Sequence, residues 1–218
     1  TKLSSAGATL GTYSVGSGPQ YDVAVDQSGN VWVVNAGSNN VTKLSSAGAT
    51  LGTYSVGTNP VGVAVDQSGN VWVVNDGSNN VTKLSSAGAT LGTYSGGTNP
   101  VGVAVDQSGN VWVVSNSSDN VTKLSSAGAT LGTYSVATNP VGVAVDQFGN
   151  VWVANAGSAN VTKLSSGSNG VLVPLVQNFS QNTSILLGVA ATSVTVSNYS
   201  VPVNINGTTY YMRLSSTP

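Results

Sequence analysis

The chain of 218 residues has no cysteine, no histidine and no glutamate. Without cysteine there is no disulfide framework and no thiolate metal site. Without histidine there is no Ser-His-Asp or Cys-His nucleophile system, and no imidazole to hold zinc or iron. Charge is scarce as well. Lys, Arg and Asp together make up 6% of the chain, with a net charge of −1, against about 25% charged residues in an average soluble domain. No basic stripe exists to grip a phosphate backbone, which excludes nucleic-acid binding by the usual electrostatic route. No polybasic cluster faces anionic lipid. The longest apolar stretch, Ile185 to Ala191, falls far short of the ~20 residues a spanning helix needs, so no membrane span is expected.

What the chain does have is repetition. Lys43, Lys83, Lys123 and Lys163 recur every 40 residues, as do Trp32, Trp72, Trp112 and Trp152. A period of this length marks a propeller, solenoid or array. Thr1 falls inside a repeat, so the expectation is a mature, trimmed or partial chain with no leader segment read from it. Hydrophobic residues make up 40%, enough for a sizeable core. Ser, Thr, Asn and Gly must then carry solubility, a composition that predicts an extracellular or cell-surface protein.

One repeat resolves into four strands. Val61 to Val65, after Pro60, is short and apolar and reads as a strand buried on both faces. Asp66-Gln-Ser-Gly-Asn70 is a tight turn, in which Asp accepts nearby backbone N–H groups and Gly takes a positive φ. Val71 to Val74 is a second buried strand, Val81 to Leu84 a half-exposed third, and Thr90 to Tyr94 a thinner fourth. Burial fading from first strand to last describes a propeller blade. Val61, Val63 and Val65 are expected on one face, with Gly62 and Ala64 on the other. Trp32, Trp72, Trp112 and Trp152 are expected to plug the spaces between blades.

The run NPVGVAVDQSGNVWVVNDGSNNVTKLSSAG resembles the NHL repeat, with its Pro-x-Gly-Val-Ala-Val-Asp and Gly-Asn-hydrophobic-aromatic-Val elements. VWVVNAGSNNVTKL, at 31–44, is similar to YVTN-type repeats of microbial surface proteins. Both resemblances imply an all-β fold of four-stranded blades over residues 1–166. Propellers of these families more often close with six or seven blades, so here the expectation is a small ring of four or five blades, closure by the tail or a partner chain, or an open array continued by other subunits. Residues 167–218 form a C-terminal β-rich segment, read as an extra blade, a small sandwich or an assembly element, with strands at 171–176, 184–190, 193–197, 201–205 and 208–214. Asn206-Gly207 is a hairpin signal within it. Thr-Lys-Leu-Ser-Ser occurs at both 1–5 and 162–166, and the two copies compete for one place in a blade.

No catalytic, cofactor-binding or metal-ligating residue emerges. The propeller that cleaves virginiamycin B is similar in architecture, but that resemblance implies catalytic histidines. Asp26, Asp66, Asp106 and Asp146 read as turn residues. Asp22, Asp76 and Asp119 each break the repeat, with no shared spacing. Asn40, Asn80, Asn116, Asn120, Asn160, Asn178, Asn182, Asn198 and Asn206 satisfy the N-glycosylation pattern. Tyr13, Tyr54, Tyr94 and Tyr134 read as outer-blade packing or an aromatic rim. The leading expectation is therefore a protein that is not an enzyme: a structural or adhesive surface propeller that self-associates into a homo-oligomer or filament, with a glycan or protein ligand as a further partner. The alternatives are a monomeric sensor or lectin-like module and, more distantly, a lyase or hydrolase using aspartates.

Overall fold

The computed structural model describes residues 1–166, 172–175, 200–205 and 208–213. It opens with a short pair, β1 (Lys2–Leu3) and β2 (Thr9–Gly11). Blade one is β3 (Pro19–Val25), β4 (Val31–Asn35), β5 (Asn40–Leu44) and β6 (Thr50–Ser55). Blade two is β7 (Pro60–Val65), β8 (Val71–Asn75), β9 (Asn80–Leu84) and β10 (Thr90–Ser95). Blade three is β11 (Pro100–Val105), β12 (Val111–Ser115), β13 (Asn120–Leu124) and β14 (Thr130–Ser135). Blade four is β15 (Pro140–Val145), β16 (Val151–Asn155), β17 (Asn160–Ser166) and β18 (Leu172–Leu175). All pairings within these sheets are antiparallel and sequential, and β3, β7, β11 and β15 lie side by side as the inner strands. The architecture is a β-propeller, all-β as the repeat predicts.

The tail divides. Its strand at 172–175 pairs with β17 and completes blade four, and the first compact unit runs Thr1–Gln177. A second unit, Asn178–Pro218, contains the antiparallel pair β19 (Ser200–Ile205) and β20 (Thr208–Arg213), with Ile205 opposite Thr208. The strands expected at 184–190 and 193–197, and the Asn206-Gly207 pair, lie outside the described residues. The two Thr-Lys-Leu-Ser-Ser copies do not compete within the unit: one runs into β1, against blade one, and the other into β17.

The core is made between blades. Trp32, Val34 and Val41 of blade one pack against Val63, Val71, Val73 and Leu84 of blade two. Trp72, Val74 and Val81 meet Val111, Val113 and Leu124 of blade three, and Trp112, Val114 and Val121 meet Val151, Val153 and Leu164 of blade four. Each blade thus has a Trp face and a Val–Leu face. Ala24, Ala64, Ala104 and Ala144 pair directly opposite the tryptophans in the neighbouring strand, where a small residue leaves the indole its space.

Two details differ from the sequence reading. Burial peaks in the second strand rather than the first: β8 and β12 are buried throughout, while most of β11 is only half-buried. The inner strands border an axial cleft, which leaves them partly open. In addition, Val61 packs with Trp72 of its own blade, apart from Val63 and Val65. The pairing slips between Pro60 and Gly62, and the extra residue of a β-bulge turns Val61 to the other face.

Candidate functional site

The repeated aspartates are absorbed by structure. Asp66 accepts the backbone N–H groups of Ser68 and Asn70 at 2.9 and 2.8 Å, the Asn70 amide at 3.0 Å and the Trp72 indole N–H at 3.1 Å. Asp26, Asp106 and Asp146 bind their own Asn and Trp in the same way. The amines of Lys43, Lys83, Lys123 and Lys163 then lie 4.8–4.9 Å from the centroid of a Trp ring, and Lys43 also comes within 3.7 Å of Asp26. Burial disfavours the charged form of Asp26, but Asn30, Trp32 and Lys43 outweigh it, and its pKa lies below the ordinary 3.8. The donors Asn150 and Trp152 hold Asp146 at about 2. These carboxylates fasten a turn to an indole.

Asp119 is spent likewise. It sits in the left-handed region at φ 49°, and its Oδ1 accepts the Asn139 backbone N–H at 2.8 Å, as Asn39 and Asn79 do for Asn59 and Asn99. Asp22 and Asp76 remain, and the fold brings both to one cavity of about 600 Å³. Asp22 occupies the position of Gly62, Gly102 and Gly142 in the later inner strands, as the pairings of the following valine show. Its Oδ1 accepts its neighbour Val23 N–H at 2.8 Å and its Oδ2 the Val63 N–H at 3.0 Å, tying β3 to β7. Asp76 follows β8, and its Oδ2 accepts the Asn59 amide at 2.9 Å. No described donor reaches its Oδ1.

Asn59, Asn99 and Asn116 complete the polar rim, while Val61, Val101, Val103, Val141 and Val143, with Gly102 and Gly142, supply an apolar wall. Asn116 donates to Asn139 and to the Pro140 carbonyl. No cation lines the cleft among the described residues, and no three acidic, His or Cys side chains gather to hold a metal ion among them. The arrangement suits a neutral polar ligand with an apolar flank. Sequence reasoning singled out Asp22 and Asp76 as departures from the repeat but did not connect them, and it missed Asn59 and Asn99. The Asn–Pro step that opens β7, β11 and β15 was the available signal.

The other expected sites are placed as follows. Trp32, Trp72 and Trp112 are buried between blades, whereas Trp152, on the last blade, is 40% exposed. Tyr54, Tyr94 and Tyr134 lie 5.6–5.8 Å, centroid to centroid, from the tryptophans of their own blades, which is outer-blade packing. Asn40, Asn80 and Asn160 accept, through Oδ1, amide hydrogens from Asn35, Asn75 and Asn155. Asn120 faces Ser115 instead, and its buried Oδ1 has no partner. Asn178, Asn182, Asn198 and Asn206 lie outside the described residues.

No protein-family model matches the chain. No curated protein matches it either. Solved structures do match. A streptogramin B lyase aligns with a TM-score of 0.65 at 19% identity, over 74% of this chain and 55% of the lyase. A catalytically inactive histidine-to-alanine variant of virginiamycin B lyase from Staphylococcus aureus, with quinupristin, aligns at 0.62 and 14% identity, over 71% of this chain and 54% of that one. A protein from Lactobacillus plantarum aligns at 0.65 and 17% identity, over 80% and 60%. At these identities the likeness shows the fold, and the chain spans little more than half the length of the propellers it matches. The matches nonetheless overturn the expectation that the chain is a structural or adhesive protein and not an enzyme. The architecture behind that expectation is shared with lyases.

Proposed function

We propose that the axial cleft is a substrate site and that the chain forms part of a propeller enzyme of lyase or hydrolase type, with aspartate as its proton-moving group. One observation carries this reading: Asp22 and Asp76, two acids outside the repeat, line the same cavity, and no described donor reaches Oδ1 of Asp76. Asp76, with an oxygen free of protein donors, is the general base. Asp22, fixed in place by two backbone N–H groups, orients a substrate donor. The chain has no histidine, and acid–base work therefore falls to carboxylates. The lyase likeness supports the reaction class.

The blades are, on the same footing, of NHL or YVTN type, on the strength of their motifs, and the uncharged polar composition supports an extracellular or cell-surface setting. Quinupristin, the compound held by the virginiamycin B lyase variant, is the first substrate to offer. The expected result is conversion followed by mass spectrometry, reduced ~10²-fold or more in Asp76→Asn. Binding of quinupristin without conversion would favour a ligand-binding module. Conversion undiminished in both Asp22→Asn and Asp76→Asn would remove the site.

A further inference from the structure

We propose that the backbone N–H groups of Val103 and Val143 are a pair of ligand donors in the axial cleft, and that they take carbonyl oxygens of an uncharged amide compound, a short peptide without free ends. The inference rests on the reading of the cleft as a substrate site and names the class of compound held there.

The inner strands β3, β7, β11 and β15 are edges of their sheets, so every second N–H along them points away from the sheet. The turns fix which ones. The N–H groups of Asp66, Asp106 and Asp146 donate to the carbonyls of Asn70, Asn110 and Asn150 at 2.8–2.9 Å. By the antiparallel alternation, the residues one and three places earlier then turn their N–H groups outward. Val63, Val103 and Val143 stand three places earlier, opposite Val73, Val113 and Val153 in one unchanged register.

The molecule already fills one of these three positions. Val63 N–H donates to Oδ2 of Asp22, on the preceding blade, at 3.0 Å. That oxygen marks where an acceptor sits on an inner strand. The residues that stand before Val103 and Val143 as Asp22 stands before Val63 are Gly62 and Gly102, and neither carries an acceptor. Among the described residues no turn or loop carbonyl takes either N–H. Packing does not demand these glycines. A Cβ at Gly62 or Gly102 would lie 3.5 or 3.7 Å from its nearest neighbour, an ordinary contact, and one at Gly142 would meet nothing within 4 Å. Both valines line the cavity of about 600 Å³ that Asp22 and Asp76 share.

Charge selects the ligand. Asp22 and Asp76 line the cleft and no cation does among the described residues, so a second carboxylate entering beside them is repelled. A neutral carbonyl satisfies the same N–H groups without that repulsion. β11 and β15 lie side by side, so the two donors belong to neighbouring strands, and a backbone with several carbonyls spans them. Val101 and Val141 offer its side chains an apolar wall, and Asn59 and Asn99 a polar rim.

Amide hydrogen exchange followed by NMR tests the geometry in the unaltered chain. Val63 should exchange about tenfold more slowly than Val103 and Val143, the protection a hydrogen bond to a charged group supplies. Gly62→Asp and Gly102→Asp repeat the Asp22 arrangement one and two blades on, and should slow Val103 and Val143 respectively. An acetylated and amidated alanine–valine dipeptide should shift the Val103 and Val143 amide signals together, sodium acetate should shift neither, and Gly102→Asp should remove the Val143 response. Equal exchange at all three valines, no dipeptide response at either amide, or an acetate response as large as the dipeptide's would overturn the proposal. The two readings of the cleft fail separately. Conversion of quinupristin with both amide signals unmoved would sink the donor pair and leave the catalytic reading standing. Dipeptide shifts at both amides in a chain that converts nothing would uphold the donor pair and count against catalysis.

Discussion

The indole N–H of Trp72 donates to Oδ2 of Asp66 at 3.1 Å, joining the turn after the inner strand to the largest buried side chain of the blade. Asp66 is itself 6% exposed and holds three further N–H donors. Replacing it by alanine strands several of these donors out of water. Each unsatisfied buried group costs about 1–3 kcal/mol. Asp66→Ala should therefore lose about 3 kcal/mol in urea unfolding, while Asp66→Asn, which keeps an acceptor for the indole, should lose less.

Four copies of one tryptophan allow an internal comparison. Trp72 is sealed between blades two and three, and Trp152 faces outward. Truncating a buried Trp costs about 3–5 kcal/mol through lost transfer energy and the cavity left behind. Trp72→Ala should show a loss of that size in denaturant titration. Trp152→Ala should cost less than half as much. Equal losses would mean that Trp152 is covered in solution.

The fold was largely legible because each local signal agreed with the period. The Asp-x-x-Gly-Asn turn, the Val-Trp-Val-Val strand and the alternating Val-Thr-Lys-Leu strand all landed where the pattern put them, and the size of the indole marked Trp32, Trp72 and Trp112 as inter-blade residues, while Trp152 is 40% exposed. The site was not legible for a physical reason. Asp22 and Asp76 meet only because neighbouring inner strands run side by side around an axis, and their separation along the chain carries no trace of that curvature. The bulge at Val61 was hidden too, since an apolar run looks the same whether or not one of its residues is unpaired.

Acid should weaken the unit through its turn aspartates. The pKa of Asp146 is about 2 in the folded chain against an ordinary 3.8, and that of Asp26 is also lowered. A depressed folded pKa means that the unfolded chain binds protons first as pH falls. The contribution of Asp146 is thus fully present above about pH 4 and is lost as the pH falls towards 2. Thermal melts of the full chain between these limits should show the midpoint dropping with pH. Asp146→Asn should flatten part of that dependence, and an unchanged slope would show that the turn carboxylate is not responsible.

Ala159 offers the opposite test, a substitution that should stabilise. It holds φ 50°, a left-handed conformation that costs an L-residue roughly 1–2 kcal/mol. The equivalent positions are Asn39, Asn79 and Asp119, each at a similar φ and each accepting, through its side-chain oxygen, the backbone N–H twenty residues on. Asn tolerates this region because its short polar side chain bonds locally, and Ala has no such compensation. Ala159→Asn should therefore raise the unfolding free energy by about 1 kcal/mol. Ala159→Gly removes the same strain but adds freedom to the unfolded chain, which takes back about 0.4–1 kcal/mol. The expected order of melting temperatures is Asn above Gly, and Gly level with or slightly above Ala. A lower midpoint for Ala159→Asn would mean that the blade-four loop does not hold this residue in the left-handed region.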